Sequence, residues 1–150
     1  MKEIQLTKGK VVVVDDDDYE WLNRWKWHYN GRYAVRWEGK KNIYMHREIM
    51  KTPGGMETDH INRDSLNNCR SNLRICTHAE NIQNRNKQSN NTSGYNGVYW
   101  HKKAKKWVAG IRINQVRIYL GVYSIKEDAA KTYDQAARKL FGEFAKTNFN

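Results

Sequence analysis

Two short strand-like segments and a helix start follow one another within residues 58–85, which read TDHINRDSLNNCRSNLRICTHAENIQNR. Residues 59–61 are predicted to form one strand, and residues 71–75 lead back as a second strand. Between them, residues 62–68 are rich in Asn, Asp and Ser, which favour turns. This order predicts a β-hairpin.

A helix start follows the hairpin directly. Thr77 and Glu80 have the spacing of a capping box, in which the Thr77 hydroxyl accepts from the Glu80 amide and the Glu80 side chain reaches back. The helix is therefore expected to begin at about His78, with Asn81 in its first turn. A hairpin followed by a helix in this register predicts that Asp59, His60 and Asn81 point inward to one place.

These three side chains suit phosphodiester hydrolysis, which requires a base, a cation beside the leaving oxygen and a group that holds the phosphate. The His60 imidazole, with an ordinary pKa of about 6.5, is a suitable base. Asp59 and the amide oxygen of Asn81 are hard oxygen ligands that suit a single Mg²⁺ or Mn²⁺ ion. Because adjacent strand residues point to opposite faces, Asp59 and His60 can converge only at a twisted or bulged strand end.

The residues Asp59-His60, Asn72 within SNLR and Asn81 within AEN resemble the HNH nuclease motif. The form is the one in which asparagine replaces the last histidine, as in phage homing endonucleases. The resemblance covers residues 43–86 and implies a ββα-metal fold. It also implies that His60 is the general base, that Asp59 and Asn81 are metal ligands, and that Asn72 pins the loop between the strands.

One departure from the motif affects the metal. Only one carboxylate, Asp59, is expected at the site, and Arg85 stands where a further ligand would be sought. Arg85 shares a helix face with Asn81, and we expect it to contact DNA. Weak metal binding or nicking of a single strand is consistent with this composition. The alternative is a polar loop of hydrogen-bonded asparagines without chemistry.

The pattern changes after residues 86–93, NKQSNNTS, which are polar and predict a linker. Three alternating segments predict a three-stranded antiparallel sheet: residues 98–100, 107–113 and 117–123. A second capping box at residues 124–127 is expected to open a helix that Gly142 ends. Its apolar stripe comprises Ala129, Ala130, Tyr133, Ala136, Ala137 and Leu140.

The amino-terminal part predicts further small elements. Residues 4–14 indicate a hairpin, and the acidic residues 15–18 are expected to oppose the positive end of a helix dipole. Residues 32–45 predict another hairpin, whose aromatic side chains, Trp37 included, are expected to form a core. A base-stacking platform is the alternative for these aromatics. A short helix then ends at Pro53.

The whole chain is therefore expected to be an α+β protein. It comprises an HNH-type module with a β-rich leader at residues 1–86, a linker at residues 87–93, and a sheet packed on one helix at residues 94–150.

Charge indicates what the carboxyl-terminal part binds. Residues 86–150 carry 12 Lys and Arg against 4 Asp and Glu, whereas residues 1–85 carry 15 against 12. A basic protein attracts polyanions, of which nucleic acid is the commonest. By alternation, cationic and aromatic side chains lie on the sheet face away from the helix, and such a face fits the major groove of DNA. A charged face that is merely solvated is the alternative.

The segments YNGVYW, KWVAGIRI and VRIYLGVYS closely resemble the ethylene-response-factor (APETALA-type) DNA-binding domain. The resemblance covers residues 94–149 and implies that the sheet lies in the major groove. Carried over by position, it implies DNA contacts by Asn96, Tyr99, His101, Lys106, Arg112, Arg117 and Tyr119. Asn96, Tyr99 and His101 replace arginines of that family, so the target sequence is not inherited.

Several classes of protein are disfavoured. No run of about 18 apolar residues is present and the amino terminus lacks a signal peptide, so we expect no membrane partner and a location in the cytoplasm of a bacterial host cell. Cys69 and Cys76 are too few for a disulfide framework, and a zinc site with His78 is the alternative to two reduced thiols.

Together these features predict a site-specific, metal-dependent endonuclease of the homing type, which acts as a monomer on double-stranded DNA and nicks it. A DNA-binding regulator with an inactive HNH module is the alternative. An RNA-binding protein would explain the charge but not the grouping of Asp59, His60 and Asn81.

Overall fold

The structure, a computed structural model, describes residues 1–84, 91–113 and 115–149, with the side chain of Gln83 left out. The chain is an α+β protein, as predicted, and divides into two compact units, Met1–Asn81 (unit one) and Ile82–Asn150 (unit two). Most of the predicted linker, residues 87–93, lies outside the described residues. No helix in the described part is long and apolar enough to cross a membrane.

Unit one begins with the predicted hairpin. Strand β1 (Lys2–Gln5) pairs antiparallel with β2 (Val11–Val14). Helix α1 (Asp16–Leu22) follows, with three aspartates in its first turn, where the helix dipole favours negative charge. One face of these elements is apolar and contributes Ile4, Val12, Val14 and Leu22 to a buried core.

A three-stranded sheet comes next, with the order β3-β4-β5. Its strands are β3 (His28–Tyr29), β4 (Ala34–Glu38) and β5 (Lys41–Tyr44), and helix α2 (Met45–Met50) follows directly. Met45 and Ile49 of α2 enter the same core as β1 and β2. The second hairpin and the short helix are thus confirmed.

The expectation that all aromatics of this hairpin are buried is wrong. Trp37 lies opposite Asn42 near the tip of the β4–β5 hairpin and is 64% exposed. Val35, two residues earlier on the same face, is fully buried. The core therefore covers only the base of the hairpin, and the tip extends into solvent.

The hairpin and helix predicted first are present as β6 (Glu57–His60), β7 (Leu73–Cys76) and α3 (His78–Gln83). The register places Asp59 opposite Arg74 and His60 opposite Leu73. Leu73 is buried in the core of unit one, so the His60 face of the hairpin is the inner face. The ββα arrangement is confirmed.

Unit two consists of β8 (Val98–His101), β9 (Lys106–Ile113), β10 (Val116–Tyr123) and α4 (Lys126–Phe141). The strands form an antiparallel sheet in the order β10-β9-β8. Its small core contains Val98, Ala109, Ala129 and Ala130. Alanines on the helix allow it to approach the sheet closely, as the sequence predicted.

Two details of α4 differ from expectation. The capping box at Ser124 does not form, because Ile125 is the N-cap and no side chain caps the helix. Glu127 instead accepts a hydrogen bond from the Tyr95 hydroxyl at 3.2 Å. Leu140, near the carboxyl end of the predicted stripe, is 44% exposed.

Candidate active site and nucleic-acid face

His60 ends strand β6 and is buried. Its Nε2 lies 2.8 Å from the side-chain oxygen Oδ1 of Asn68, which is fully buried in the loop between the strands. In this orientation of the Asn68 amide the oxygen faces the ring and only accepts, so Nε2 donates and the lone pair of the neutral imidazole is on Nδ1. Burial lowers the pKa of His60, opposed by the hydrogen bond to Asn68 and by the charge of Asp59. The ring is therefore neutral at cellular pH.

The β-rich leader contributes three residues to the surroundings of His60. The Tyr33 ring stacks on the His60 ring with centroids 6.0 Å apart, and the His46 ring lies edge-on to it at 5.0 Å. Burial, followed by the charges of neighbouring groups, lowers the pKa of His46 to about 3. The Arg32 guanidinium lies over the Tyr33 ring, 4.9 Å from its centroid.

Asp59 belongs to a different cluster from His60. Its Oδ2 accepts from Nη2 of Arg74 at 2.8 Å and from Nε at 3.0 Å, across the hairpin. Adjacent strand residues point to opposite faces, and here no bulge interrupts the β6–β7 register. The structure therefore does not bring Asp59, His60 and Asn81 to one point. His60 lies on the inner face of β6, and Asp59 lies on the other.

A second carboxylate, missed by the sequence analysis, corrects the expectation that Asp59 is the only one. Glu57 is two residues before Asp59 on β6, so the two share a strand face. Glu57 accepts from Nδ2 of Asn81 at 2.5 Å, and its other oxygen lies 2.7 Å from Nδ1 of His78. The period of two along β6 was the signal that could have identified it.

The capping box that positions Asn81 is confirmed. The Thr77 amide donates to Glu80 at 2.7 Å, and the Glu80 amide lies 3.3 Å from the Thr77 hydroxyl. These bonds lower the pKa of Glu80. They start α3 at His78 and place Asn81 one turn from the hairpin.

The loop between the strands is held by asparagine side chains. Asn72 Oδ1 accepts from the Asn62 amide at 3.0 Å, and Asn72 Nδ2 donates to the Asn67 carbonyl at 2.8 Å. The Ser65 hydroxyl donates to the carbonyl of Arg32 at 2.6 Å, which ties the loop to the leader. Asn72 thus bridges the two ends of the loop that carries Asn68.

The donor set suits a hard divalent cation. Asp59 and Glu57 supply carboxylate oxygens on one strand face, and the Asn81 amide contacts Glu57, so three oxygen-bearing side chains are adjacent. The described residues contain no group of three His, Cys, Asp or Glu that could hold a metal by themselves. Any ion here would need the Asn81 amide oxygen, water and phosphate oxygens to complete its shell. The absence of such a group among the described residues gives no support to a zinc site formed by Cys69, Cys76 and His78. Cys69 and Cys76 are buried free thiols.

Unit two presents the predicted cationic face. Strand register places six of the predicted DNA-contact residues on the face away from the core: Tyr99, His101, Lys106, Arg112, Arg117 and Tyr119. Arg112 and Arg117 are directly opposite each other on β9 and β10. The Arg117 guanidinium crosses β9 at Gly110 and lies 4.3 Å from the Tyr99 ring centroid.

One predicted contact residue, Asn96, is not on this face. Asn96 precedes β8, its amide donates to Asn148 at 2.6 Å, and its side-chain nitrogen is buried. Arg85 lies outside the described residues.

Comparisons with known proteins agree with the two units. Residues 51–83 match the HNH endonuclease family and residues 93–143 match the AP2 domain. An uncharacterized HNH endonuclease of Acanthamoeba polyphaga mimivirus is 31% identical over 149 residues, which cover 94% of this chain and 76% of that protein.

Two further relatives match part of the chain. Protein 3.8 of Escherichia phage T7 is 31% identical over 94 residues, covering 63% of this chain and 77% of that protein. An ethylene-responsive transcription factor of Medicago truncatula is 32% identical over 87 residues, which cover 57% of this chain but only 32% of that protein.

Proposed function

The chain belongs to the HNH endonuclease family and carries an AP2 domain, and from this we propose that it is a site-specific, metal-dependent DNA endonuclease that nicks one strand per engagement. The proposal includes action as a monomer, because one site per chain cuts one strand, and a location in the cytoplasm of a bacterial host. Unit one hydrolyses the phosphodiester bond and unit two holds the duplex.

The observation that carries the proposal is the environment of His60. It is a buried, neutral imidazole with Nε2–H directed at Asn68 Oδ1. This tautomer leaves Nδ1 as the basic nitrogen, which is what abstraction of a proton from water requires. The surrounding hairpin and helix are the part of the chain that matches the HNH endonuclease family.

In the proposed reaction, Nδ1 of His60 takes a proton from a water molecule as the water oxygen attacks phosphorus. The bond from phosphorus to the 3′ oxygen breaks, and that oxygen acquires a proton from solvent. The products carry 5′-phosphate and 3′-hydroxyl ends. Asn68 and Tyr33 hold the ring of His60 in place through a hydrogen bond and a stack.

Arg32 is suited to contact the phosphate that is cut. Its side chain is exposed and lies over Tyr33, the ring that stacks on His60. Its backbone carbonyl is bound by Ser65 of the loop that also carries Asn68. A guanidinium in this position offers a planar, bidentate partner for phosphate.

Asp59 and Asn81 would hold the single divalent ion, Mg²⁺ or Mn²⁺, with Glu57 beside them. When bound, the ion would supply positive charge next to the phosphate oxygens. Because Asp59 and His60 lie on opposite faces of β6, the proposal requires the cleaved phosphate to lie at the end of the strand, where both faces are within reach. Glu57 accepts from Nδ2 of Asn81, and an amide whose nitrogen is held by a carboxylate presents its oxygen on the other side. Asp59 binds Arg74 in the same cluster, so Arg74 balances the carboxylate charge.

Unit two supplies affinity for the duplex. Arg112, Arg117 and Lys106 share one sheet face, and the described residues give none of them an acidic partner. Such a face binds phosphates and reads bases in the major groove, and so raises the local concentration of DNA at unit one. We expect Asn96, Tyr99, His101 and Tyr119 to add contacts, together with Arg85.

Incubation of the protein with supercoiled plasmid that carries its own flanking DNA tests the proposal. We expect relaxed circles with Mg²⁺ or Mn²⁺ and none with chelator. Supercoils that remain intact with every divalent ion, together with a shifted duplex in a gel, would reject it.

The second candidate is a DNA-binding regulator with an inactive HNH module. The ion pair between Asp59 and Arg74 favours it, because a guanidinium competes with a metal for the carboxylate. Arg74→Ala discriminates the two functions. If the protein is an active nuclease, Arg74→Ala should change the concentration of divalent ion that nicking requires. If it is a regulator, the Arg74→Ala variant should cleave no DNA.

A further inference from the structure

We propose that unit one contains a second nucleic-acid site, an aromatic groove that takes an unpaired nucleobase of single-stranded DNA. The groove lies beside the β3–β4 edge and has a volume of about 700 Å³. This is within the range of cavities that hold small organic ligands. Its wall includes three tryptophans, Trp25, Trp27 and Trp37, together with His28 and the cationic Lys26 and Arg36.

Two indoles of the groove, those of Trp25 and Trp37, are exposed. Trp37 is 64% exposed and Trp25 is 50% exposed. Large aromatic side chains dominate the energetics of cores and interfaces, so leaving two of them exposed side by side forgoes stability within the fold. His28 stacks on Trp37 with an angle of 11° between the ring planes and centroids 5.8 Å apart, which fixes the indole from one side.

The rest of the groove is rigidly supported. Arg36 is buried between strand and helix, and its guanidinium donates to Glu48 at 2.6 Å and to Glu38 at 3.0 Å. The same guanidinium lies 4.4 Å from the Trp25 ring centroid. Trp27 donates from Nε1 to the Leu22 carbonyl at 2.8 Å. The indoles are thus held in position before any ligand binds, which lowers the entropy cost of binding.

The charge near the groove and the geometry of its aromatic rings favour single-stranded DNA as the ligand. Residues 23–44, which form the groove wall and the adjoining hairpin, contain six Lys and Arg and a single acidic residue, Glu38. This excess attracts a polyanion rather than an apolar peptide. An indole stacks only on a base whose face is open, and in a duplex each face is covered by the neighbouring pair. Aromatic platforms within cationic grooves accordingly bind single strands.

The test uses the full chain in chelator, so that binding is measured without cleavage and a failure of the nuclease proposal does not affect it. A labelled oligothymidylate and a blunt duplex are the two probes. Trp37→Leu keeps an apolar side chain but removes the π-face, and Trp37→Phe restores a π-face. Trp100→Leu removes an indole that is 43% exposed in unit two and is the matched control.

We expect Trp37→Leu to weaken oligothymidylate binding by roughly tenfold, the loss of about one stacked base, while duplex affinity stays unchanged. Trp37→Phe should remain close to the parent and Trp100→Leu should not differ from it. Oligothymidylate should also quench the tryptophan emission of the parent more than that of Trp37→Leu. No single-strand binding by the parent, equal binding by Trp37→Leu, or an equal loss for duplex and single strand would each overturn the proposal.

Discussion

Nε2 of His60 donates to Oδ1 of Asn68 across 2.8 Å, where Asn68 is fully buried and His60 is 6% exposed. The bond joins the end of β6 to the loop that precedes β7. It fixes both the tautomer and the orientation of the imidazole, and the loop itself is held by Asn72. In the proposed mechanism, the positioning of His60 therefore depends on Asn68 and, through the loop, on Asn72.

Replacement of Asn68 tests this dependence. Asn68→Ala removes the acceptor, so the His60 ring can rotate and exchange tautomers, and we expect the nicking rate to fall by roughly ten- to a hundredfold. Duplex affinity, measured in chelator, should remain that of the parent. The exposed Asn42→Ala is the control. A nicking rate within about twofold of the parent would contradict the role given to Asn68.

Glu57 is expected to affect metal binding through Asn81. Glu57→Gln keeps the shape of the side chain but removes its charge, and it weakens the hold on Nδ2 of Asn81. We expect the affinity for Mn²⁺, measured by titration calorimetry or by electron paramagnetic resonance without DNA, to fall by roughly tenfold. Glu20→Gln, on the exposed surface of α1, should have no effect. An unchanged Mn²⁺ affinity would remove Glu57 from the metal site.

Arg117 is expected to carry duplex affinity. Arg117→Ala removes one cation from the sheet face, and the slope of log affinity against log salt should become shallower by about one unit if it contacts a phosphate. Competition between DNA targets that differ in sequence distinguishes a base contact from a phosphate contact. Loss of a base contact relaxes the sequence specificity at one position of the target. Lys131→Ala, on exposed α4, is the control. Identical salt slopes for parent and variant, with specificity unchanged, would exclude Arg117 from the interface.

His46 should make unit one sensitive to acid. Burial lowers its pKa to about 3 from an ordinary value near 6.5, and the charges of His60, Arg47 and Arg32 act in the same direction. The unfolded chain binds a proton in this interval that the folded chain does not, so stability is full above about pH 6.5 and falls toward pH 3. The loss approaches about 1.4 kcal/mol per pH unit.

His46→Phe keeps an aromatic ring in this cluster and removes the protonation. The free energy of unfolding in urea, measured at several values between about pH 7 and pH 4, should therefore depend less steeply on pH than in the parent. His101→Ala, in exposed β8, should leave the slope unchanged. Parallel slopes for parent and His46→Phe would show that another group controls the acid sensitivity.

The local elements of the site were predictable because their signals are local. The Thr77 capping box, the asparagine-rich loop and the two strands each rest on a few neighbouring residues, and all are present. The capping box predicted at Ser124 is absent, and Glu127 instead accepts a hydrogen bond from Tyr95. Tyr95 is distant in the sequence, so a local pattern does not predict this contact.

The arrangement of the site was less predictable than its parts. The motif contains Asp59 and His60 but not Glu57. The position of Glu57 on the Asp59 face follows from strand alternation alone. The packing of Tyr33 and His46 against His60 depends on how the leader packs against the hairpin, and no local pattern contains that information. The exposure of Trp37 likewise depends on how far the core extends along a strand.

The central claim is that His60 is the base of a metal-dependent nuclease, and one paired measurement tests it most directly. Parent and His60→Ala are compared for nicking of the same supercoiled plasmid with Mn²⁺, alongside duplex binding in chelator. The account predicts equal binding and a loss of nicking of at least about a hundredfold in His60→Ala. Nicking by His60→Ala at the rate of the parent would contradict it.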